Sequence, residues 1–243
     1  MNQSAMALDF NRFDVLTFDC YGTLINWEEG ILNALRPILA NHGKAADEAT
    51  LLQLFGDFEA AAEQRDYRRY REVLQMVVRS FGEHFEFAPS DEEIRSLPES
   101  LRNWKPWPDT IEALRQLHKR FRLWIISNVD DDLFAATQPQ LGVNFDGIVT
   151  AQQAAAYKPS MKIFKLALSR IGVPPARILH VGQSVYHDVI PAQALGLSAI
   201  WVNRPSARSG VGAVKPAEGR PDLEVSSLAE LAANIAGRQS TRS

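Results

Sequence analysis

An α/β fold, with a parallel sheet flanked by helices and interrupted by one all-helical insertion, is predicted by three features of the sequence. The run Val15-Leu16-Thr17-Phe18 is short, apolar and β-favouring, and it ends at Asp19 with Gly22 close behind. A buried parallel strand delivers one side chain to the end of a sheet in this way. From residue 105 onward, short apolar runs alternate with amphipathic stretches, the pattern of strands joined by crossover helices. Between these regions, residues 28–104 carry apolar residues at spacings of three and four with no strand signal. The chain thus divides into an α/β core, 1–27 with 105–243, and a helical block, 28–104.

In order, polar Asn26-Trp27-Glu28-Glu29 leads into Ile31, Leu32, Leu35, Ile38 and Leu39, a helical spacing that recurs from Leu51 to Phe58. From Tyr67 to Phe81 the residues Tyr70, Val73, Leu74, Val77, Val78 and Phe81 form one stripe. Arg65 and Arg68 fall away from that stripe, whereas Arg69 and Arg71 flank it and are the better placed to meet a substrate carboxylate. Pro106 and Pro108 end the helical block, because neither continues a helix. A helix from Asp109 to Lys119 then precedes strand Leu123–Ser127. A further helix and strand Gly147–Thr150 follow, then helix Met161–Ile171, strand Ile178–Val181, helix Pro191–Leu195 and strand Ala199–Val202. Gly, Pro and Ser mark 206–221 as a loop, and 237–243 reads as a frayed tail.

The chain has 243 residues, enough for one substantial core, and a formal net charge of −3 with both signs interspersed. No basic surface for nucleic acid or anionic membrane is expected. Cys20 is the only cysteine, so no intramolecular disulfide forms and a reducing, cytoplasmic compartment fits. No segment approaches the roughly 20 apolar residues of a membrane span, and Met1 to Leu8 lacks the pattern of a signal peptide.

Four groups of residues then stand in a telling order: Asp19-Cys20-Tyr21-Gly22-Thr23-Leu24, Ser127-Asn128, Lys158-Pro159, and Gly182-Gln183-Ser184 through Asp188. In kind and sequence they resemble the four motifs of the haloacid dehalogenase (HAD) superfamily. The resemblance implies a Rossmann-like core with the helical block as a cap over the carboxyl ends of the strands, where open parallel sheets place their ligands. HAD phosphatases carry an aspartate two residues after the nucleophile. The (S)-2-haloacid dehalogenase branch has tyrosine there, as Tyr21 stands here. The resemblance also implies a homodimer, which no stretch of this sequence marks. An arginine that assists halide departure in that branch corresponds here to Gly56, a tyrosine beyond the motif lysine to Phe164, and a serine and asparagine of the last motif to Gln183 and Val185.

By that resemblance Asp19 is the nucleophile, forming an ester or acyl phosphate that water later cleaves. Backbone N–H groups of the 19–23 turn, with the hydroxyls of Thr23 and Ser127, hold its carboxylate, while Lys158 keeps it ionised and orients water or substrate. Asp188 positions or deprotonates the water. Tyr21, Cys20, Asn128, Gln183, Ser184 and His187 are expected around the substrate, with Cys20 a buried filler beside Asp19 rather than a nucleophile. Taken singly, Thr23 and Ser127 fit strand-end capping and Lys158 a surface charge, and His180 fits a packed position within its strand.

Tyr21 bears on the reaction through the leaving group. Phosphate-ester hydrolysis expels an alkoxide, a strong base that benefits from a nearby carboxylic acid, and tyrosine is poorly suited to that exchange. A halide leaves without a proton. Tyr21 thus disfavours a phosphatase and permits halide displacement, and the resemblance implies as substrate a small 2-substituted carboxylate, most simply a 2-haloacid converted to a 2-hydroxy acid, with no cofactor and no required metal expected. Three alternatives stay open, the first two being an azetidine-2-carboxylate-type C–N hydrolase on the same scaffold, with His187 or Tyr21 giving the amine its proton, and a Mg²⁺-dependent phosphatase. A non-catalytic HAD-like domain is the third.

Overall fold

The computed structural model describes residues 8–63, 66–204, 213 and 217–237, so Arg65, most of the loop expected over 206–221 and the tail beyond 237 lie outside the described residues. The first strand, β1 (Val15–Phe18), is buried at all four positions, which explains why its sequence runs apolar without alternation. Four helices come next: α1 (Trp27–Asn41), α2 (Glu48–Glu63), α3 (Tyr70–Phe85) and α4 (Asp91–Ser100). Then come α5 (Thr110–His118), β2 (Arg122–Ser127), α6 (Asp131–Thr137), β3 (Gly147–Thr150), α7 (Ala151–Ala154) and α8 (Met161–Ile171). The chain continues through β4 (Ile178–Gly182), α9 (Ile190–Ala194), β5 (Ser198–Val202), β6 (Leu223–Val225) and α10 (Leu228–Gly237).

Among the described residues the six strands form one sheet in the order β3-β2-β1-β4-β5-β6, every neighbouring pair parallel. Period-two alternation sorts its side chains between two cores. Leu16, Phe18, Leu123, Ile125, Leu179 and Val181 face one, together with the buried faces of α1 to α5. Val15, Trp124, Ile126, Ile178 and Ala199 face the other, packed by Ile163, Phe164 and Ala167 of α8. β1 lies at the centre, with Phe18 in register with Ile125 of β2 and Val181 of β4. The first residues beyond those three strands therefore emerge side by side at one edge of the sheet.

The stripe expected along α3 is buried as drawn, but the helix begins at Tyr70, three residues after the periodicity does. The cause lies far away in the sequence. Asp130, 1 % exposed and just past β2, accepts from the backbone N–H groups of Tyr70 and Arg71, both at 2.9 Å, capping the helix across the fold. Two elements were not singled out in the sequence. β6 is only three residues long, and α10 starts beside Asp109, whose carboxylate accepts from Leu228 N at 2.7 Å. Ser227 and Glu230, three apart, were a helix-start signal, and Ser227 Oγ does accept from Glu230 N at 3.1 Å.

Replacing Asp130 by Ala strips α3 of its cap and leaves two buried N–H groups without their acceptor. Denaturant unfolding is expected to show a loss of about 2 kcal/mol. A change within a few tenths would mean that α3 starts without help from the core.

Candidate active site

Three strand ends and one loop converge on a single buried cation. Asp19 follows β1, Asp188 lies in the turn after β4, and Lys158 lies between α7 and α8. The Lys158 ammonium donates to Asp19 Oδ1 at 2.8 Å and to Asp188 Oδ1 at 2.7 Å, with all three residues buried. Asn128, after β2, does not reach toward a ligand with its amide. Its Oδ1 accepts from Lys158 N at 2.7 Å and its Nδ2 donates to Lys158 O at 3.2 Å, which fixes the backbone carrying the cation.

Both aspartates are held at their second oxygens as well. Thr23 Oγ1 donates to Asp19 Oδ2 at 2.7 Å and accepts from Gln183 N at 2.8 Å, so its one proton is committed to the carboxylate. Ser184 N donates to Asp188 Oδ2 at 3.2 Å, and His180 Nε2 donates to Asp188 Oδ1 at 3.2 Å. His180 Nδ1 lies 2.8 Å from Thr17 Oγ1, its register partner on β1. The histidine read as a packed strand residue is thus packed and also a strut behind Asp188, with Phe164 edge-on to its ring at 5.1 Å. Thr17 was the signal: a lone polar residue in β1 needs a buried partner.

Two glycines make the approach of these strands feasible. Gly22 has φ of +97°, and a Cβ there would lie 2.3 Å from Gln183 Oε1. At Gly182 a Cβ would lie 2.5 Å from the Asp188 side chain. Any larger residue at 182 would push Asp188 off the strand end. The chain then enters one wide π-type turn, 185–189, a feature frequent at functional sites.

Asp19, Tyr21, Ser127, Asn128, Lys158, Gln183, Ser184, His187 and Asp188 all line one cavity. Thr23 stands behind Asp19, and Cys20 is turned fully into the core, away from the cavity. The Tyr21 hydroxyl does not face Asp19. It is 2.9 Å from Thr137 Oγ1, which donates to Leu133 O at 3.2 Å, so the phenolic proton points at Thr137. Trp27, at the start of α1, and Glu59, Glu63 and Tyr70 of the helical block add to the lining. A one-turn spacing on a helix does not reveal which face turns inward. Phe58 packs edge-on against Phe81 at 5.2 Å, and neither Arg69 nor Arg71 lines the cavity. Arg71 pairs with Asp132 at 2.5 Å.

Burial alone would raise Asp188, but Lys158 and His180 outweigh it and hold that carboxyl well below the usual range. It is a weak base, better fitted to orienting water than to taking its proton. For Asp19 the balance reverses. Burial, helped by Asp188, pushes it above its ordinary value despite Lys158 and Thr23, so Lys158 does not ionise Asp19 as fully as the sequence suggests. Burial works to lower Lys158, yet the two carboxylates hold it above its ordinary value, a permanent ammonium. Burial also lifts Glu59, whose Oε1 accepts from Tyr70 OH at 2.5 Å, to about 7.

The donor set suits a magnesium ion poorly. Lys158 already occupies one oxygen of each aspartate, and the neutral amide of Gln183 stands where an acid would strengthen the site.

Asp19 at the end of the central strand, a buried lysine and a second acid thus form one cluster on the cavity at the strand ends of a parallel α/β sheet. The family model for haloacid dehalogenase-like hydrolases matches residues 13–196, and the chain belongs to that family. It is 24% identical over 219 residues to an (S)-2-haloacid dehalogenase of Pseudomonas putida, across 89% of this chain and 93% of that one. A glyceraldehyde 3-phosphate phosphatase of Methanothermobacter thermautotrophicus is 36% identical over 102 residues, 41% of this chain and 45% of the relative. Among solved structures, the L-2-haloacid dehalogenase from Xanthobacter autotrophicus with chloropropionic acid covalently bound superposes with a TM-score of 0.78. That pair shares 20% identity over 93% of this chain and 99% of the other, a likeness of fold.

Glu59 supplies a pH test of the site. Its value in the fold lies above the ordinary one, so its contribution is fully present below pH 4.5 and is lost as pH rises through about 7. Glu59→Gln keeps the Tyr70 bond and is expected to be more stable than wild type at pH 8, by on the order of 1 kcal/mol, with no gain at pH 4. Equal pH dependence of the two proteins would contradict the burial of this group.

Proposed function

We propose that this protein hydrolyses small 2-substituted carboxylic acids through an aspartyl-ester intermediate, a 2-haloacid being the simplest substrate. A carboxylate oxygen of Asp19 bonds to C2 as the bond to the leaving group breaks, with inversion at carbon, and the leaving group departs with the electron pair. Water then adds to the ester carbonyl, releasing a 2-hydroxy acid and restoring Asp19. Asp188, held by Lys158 and His180, orients that water, and the Lys158 ammonium offsets charge on the acyl oxygen.

The observation that carries the reading is the aim of Tyr21. Two residues beyond the proposed nucleophile there is no acid, and the hydroxyl present is engaged with Thr137, so nothing from that position assists an alkoxide. A leaving group that needs no proton fits this site. Ser127 Oγ and Trp27 Nε1, both buried on the cavity without a hydrogen-bond partner among the described residues, are two donors suited to a substrate carboxylate. In the same proposal residues 28–104 act as a cap on the core formed by 1–27 and 105–243. The lone buried Cys20 favours a cytoplasmic setting. Among the described residues no helix is long and apolar enough to cross a membrane.

Product release from 2-chloropropionate, azetidine-2-carboxylate and small phosphate esters, measured with a chelator present, tests the reading. A 2-substituted acid is expected to yield its hydroxy acid without added metal, and Asp19→Asn is expected to lower kcat/KM by roughly 10³-fold or more. Magnesium-stimulated phosphate release, with no turnover of either acid, would replace this reading by the phosphatase one.

A further inference from the structure

Glu59 and Glu63 lie four residues apart on α2 and so share a face, and both line the cavity that holds Asp19. We propose that this acid pair makes the site selective for a carboxylic acid that also carries a positively charged nitrogen, which the pair receives. The proposal deepens the function given above and rests on it for the reacting carbon alone.

The charges lining the cavity are unbalanced. Asp19, Asp188, Glu59 and Glu63 are four carboxylates, and the one permanent cation among the described lining residues, Lys158, is already bonded to the first two. No arginine lines the cavity among the described residues. At Gly56, one helical turn before Glu59 and two before Glu63 on α2, a Cβ would meet the Ala213 carbonyl at 2.9 Å, so that backbone occupies the space a long basic side chain would need. A purely anionic substrate would add a fifth carboxylate to such a site and bring no cation to it. A substrate with an ammonium brings the missing charge.

The pair is built to receive something. Tyr70 OH fixes Glu59 at one oxygen and leaves the other for a ligand, while Glu63 makes no hydrogen bond or ion pair with a described residue. Burial, with Glu59 beside it, pushes Glu63 well above the ordinary carboxylate value, so the empty cavity holds protons that an arriving cation would replace. An independent observation lies elsewhere on the same cavity. Ser127 Oγ is fully buried and has no partner among the described residues, and Trp27 Nε1 is likewise unpaired among them. Two vacant donors suit a carboxylate and two acids suit an ammonium. Together they match the two ends of a small zwitterion.

Binding of product-like ligands tests this without turnover. Isoserine (3-amino-2-hydroxypropanoate) and lactate differ by one ammonium group, and neither has a leaving group. In calorimetric titrations at pH 8, isoserine is expected to bind about tenfold tighter than lactate or better, the size of one charged hydrogen bond. Glu59→Gln and Glu63→Gln are each expected to erode that preference and the double variant to erase it. Glu63→Gln carries the test alone should Glu59→Gln fail to fold, since Glu63 has no described partner to lose. Equal binding of the two ligands, binding of neither, tighter binding of lactate, or a preference that survives the double variant would each overturn the proposal. Covalent labelling of Asp19 by any 2-substituted acid is scored separately, so the selectivity can fail while the chemistry stands.

Discussion

One ammonium between two carboxylates organises this molecule. Lys158 is 2% exposed, and moving its charge out of water is tolerable only because Asp19 and Asp188 each lie within hydrogen-bond distance. Removing one partner of such a buried arrangement typically costs about 3–5 kcal/mol, so the three residues stand or fall together. The arrangement carries one cation for two acids. The surplus negative charge is met by weaker donors: Thr23 on Asp19, and His180 and Ser184 N on Asp188. These donors are not shared equally. Asp188 gains enough to become a very weak base, whereas the Asp19 carboxylate is left less stabilised than in water.

The sheet order produces this geometry. With β1 central and β2 and β4 beside it, the residues that follow the three strands meet without any long reach. Glycine at 182 lets Asp188 fold back onto its own strand end, and the left-handed Gly22 turns the chain immediately past Asp19. The connection after β1 then leaves the core for four helices, and Asp130 ties the third of them back to the loop after β2. Because Asp130 lies three residues after Ser127, the helical block is anchored next to the site it helps to enclose.

Much of this was legible in the sequence because it is local. Buried parallel strands read as uninterrupted apolar runs, and Val15–Phe18, Leu123–Ser127 and Ile178–Val181 were visible for that reason. Asp19, Lys158 and Asp188 were marked as a set by their order along the chain. What depends on contacts across the fold was hidden. The start of α3 is set by Asp130, sixty residues further on, and no periodicity reports that. The aim of Tyr21 at Thr137 and of Glu59 and Glu63 into the cavity follows from how the helices seat on the core. Asn128 looked like a substrate ligand and instead braces the Lys158 backbone, since an amide beside a motif serine gives no clue to its direction.

The central claim is that a carboxylate oxygen of Asp19 becomes the oxygen of the product. Single-turnover hydrolysis in ¹⁸O-labelled water, with enzyme in excess and mass measurement of the peptide containing Asp19, tests it most directly. Label in Asp19 and an unlabelled hydroxyl in the product is the result expected. Label delivered straight to the product, with the Asp19 peptide unchanged, would mean that water attacks the substrate itself, and the ester would have no place in the mechanism.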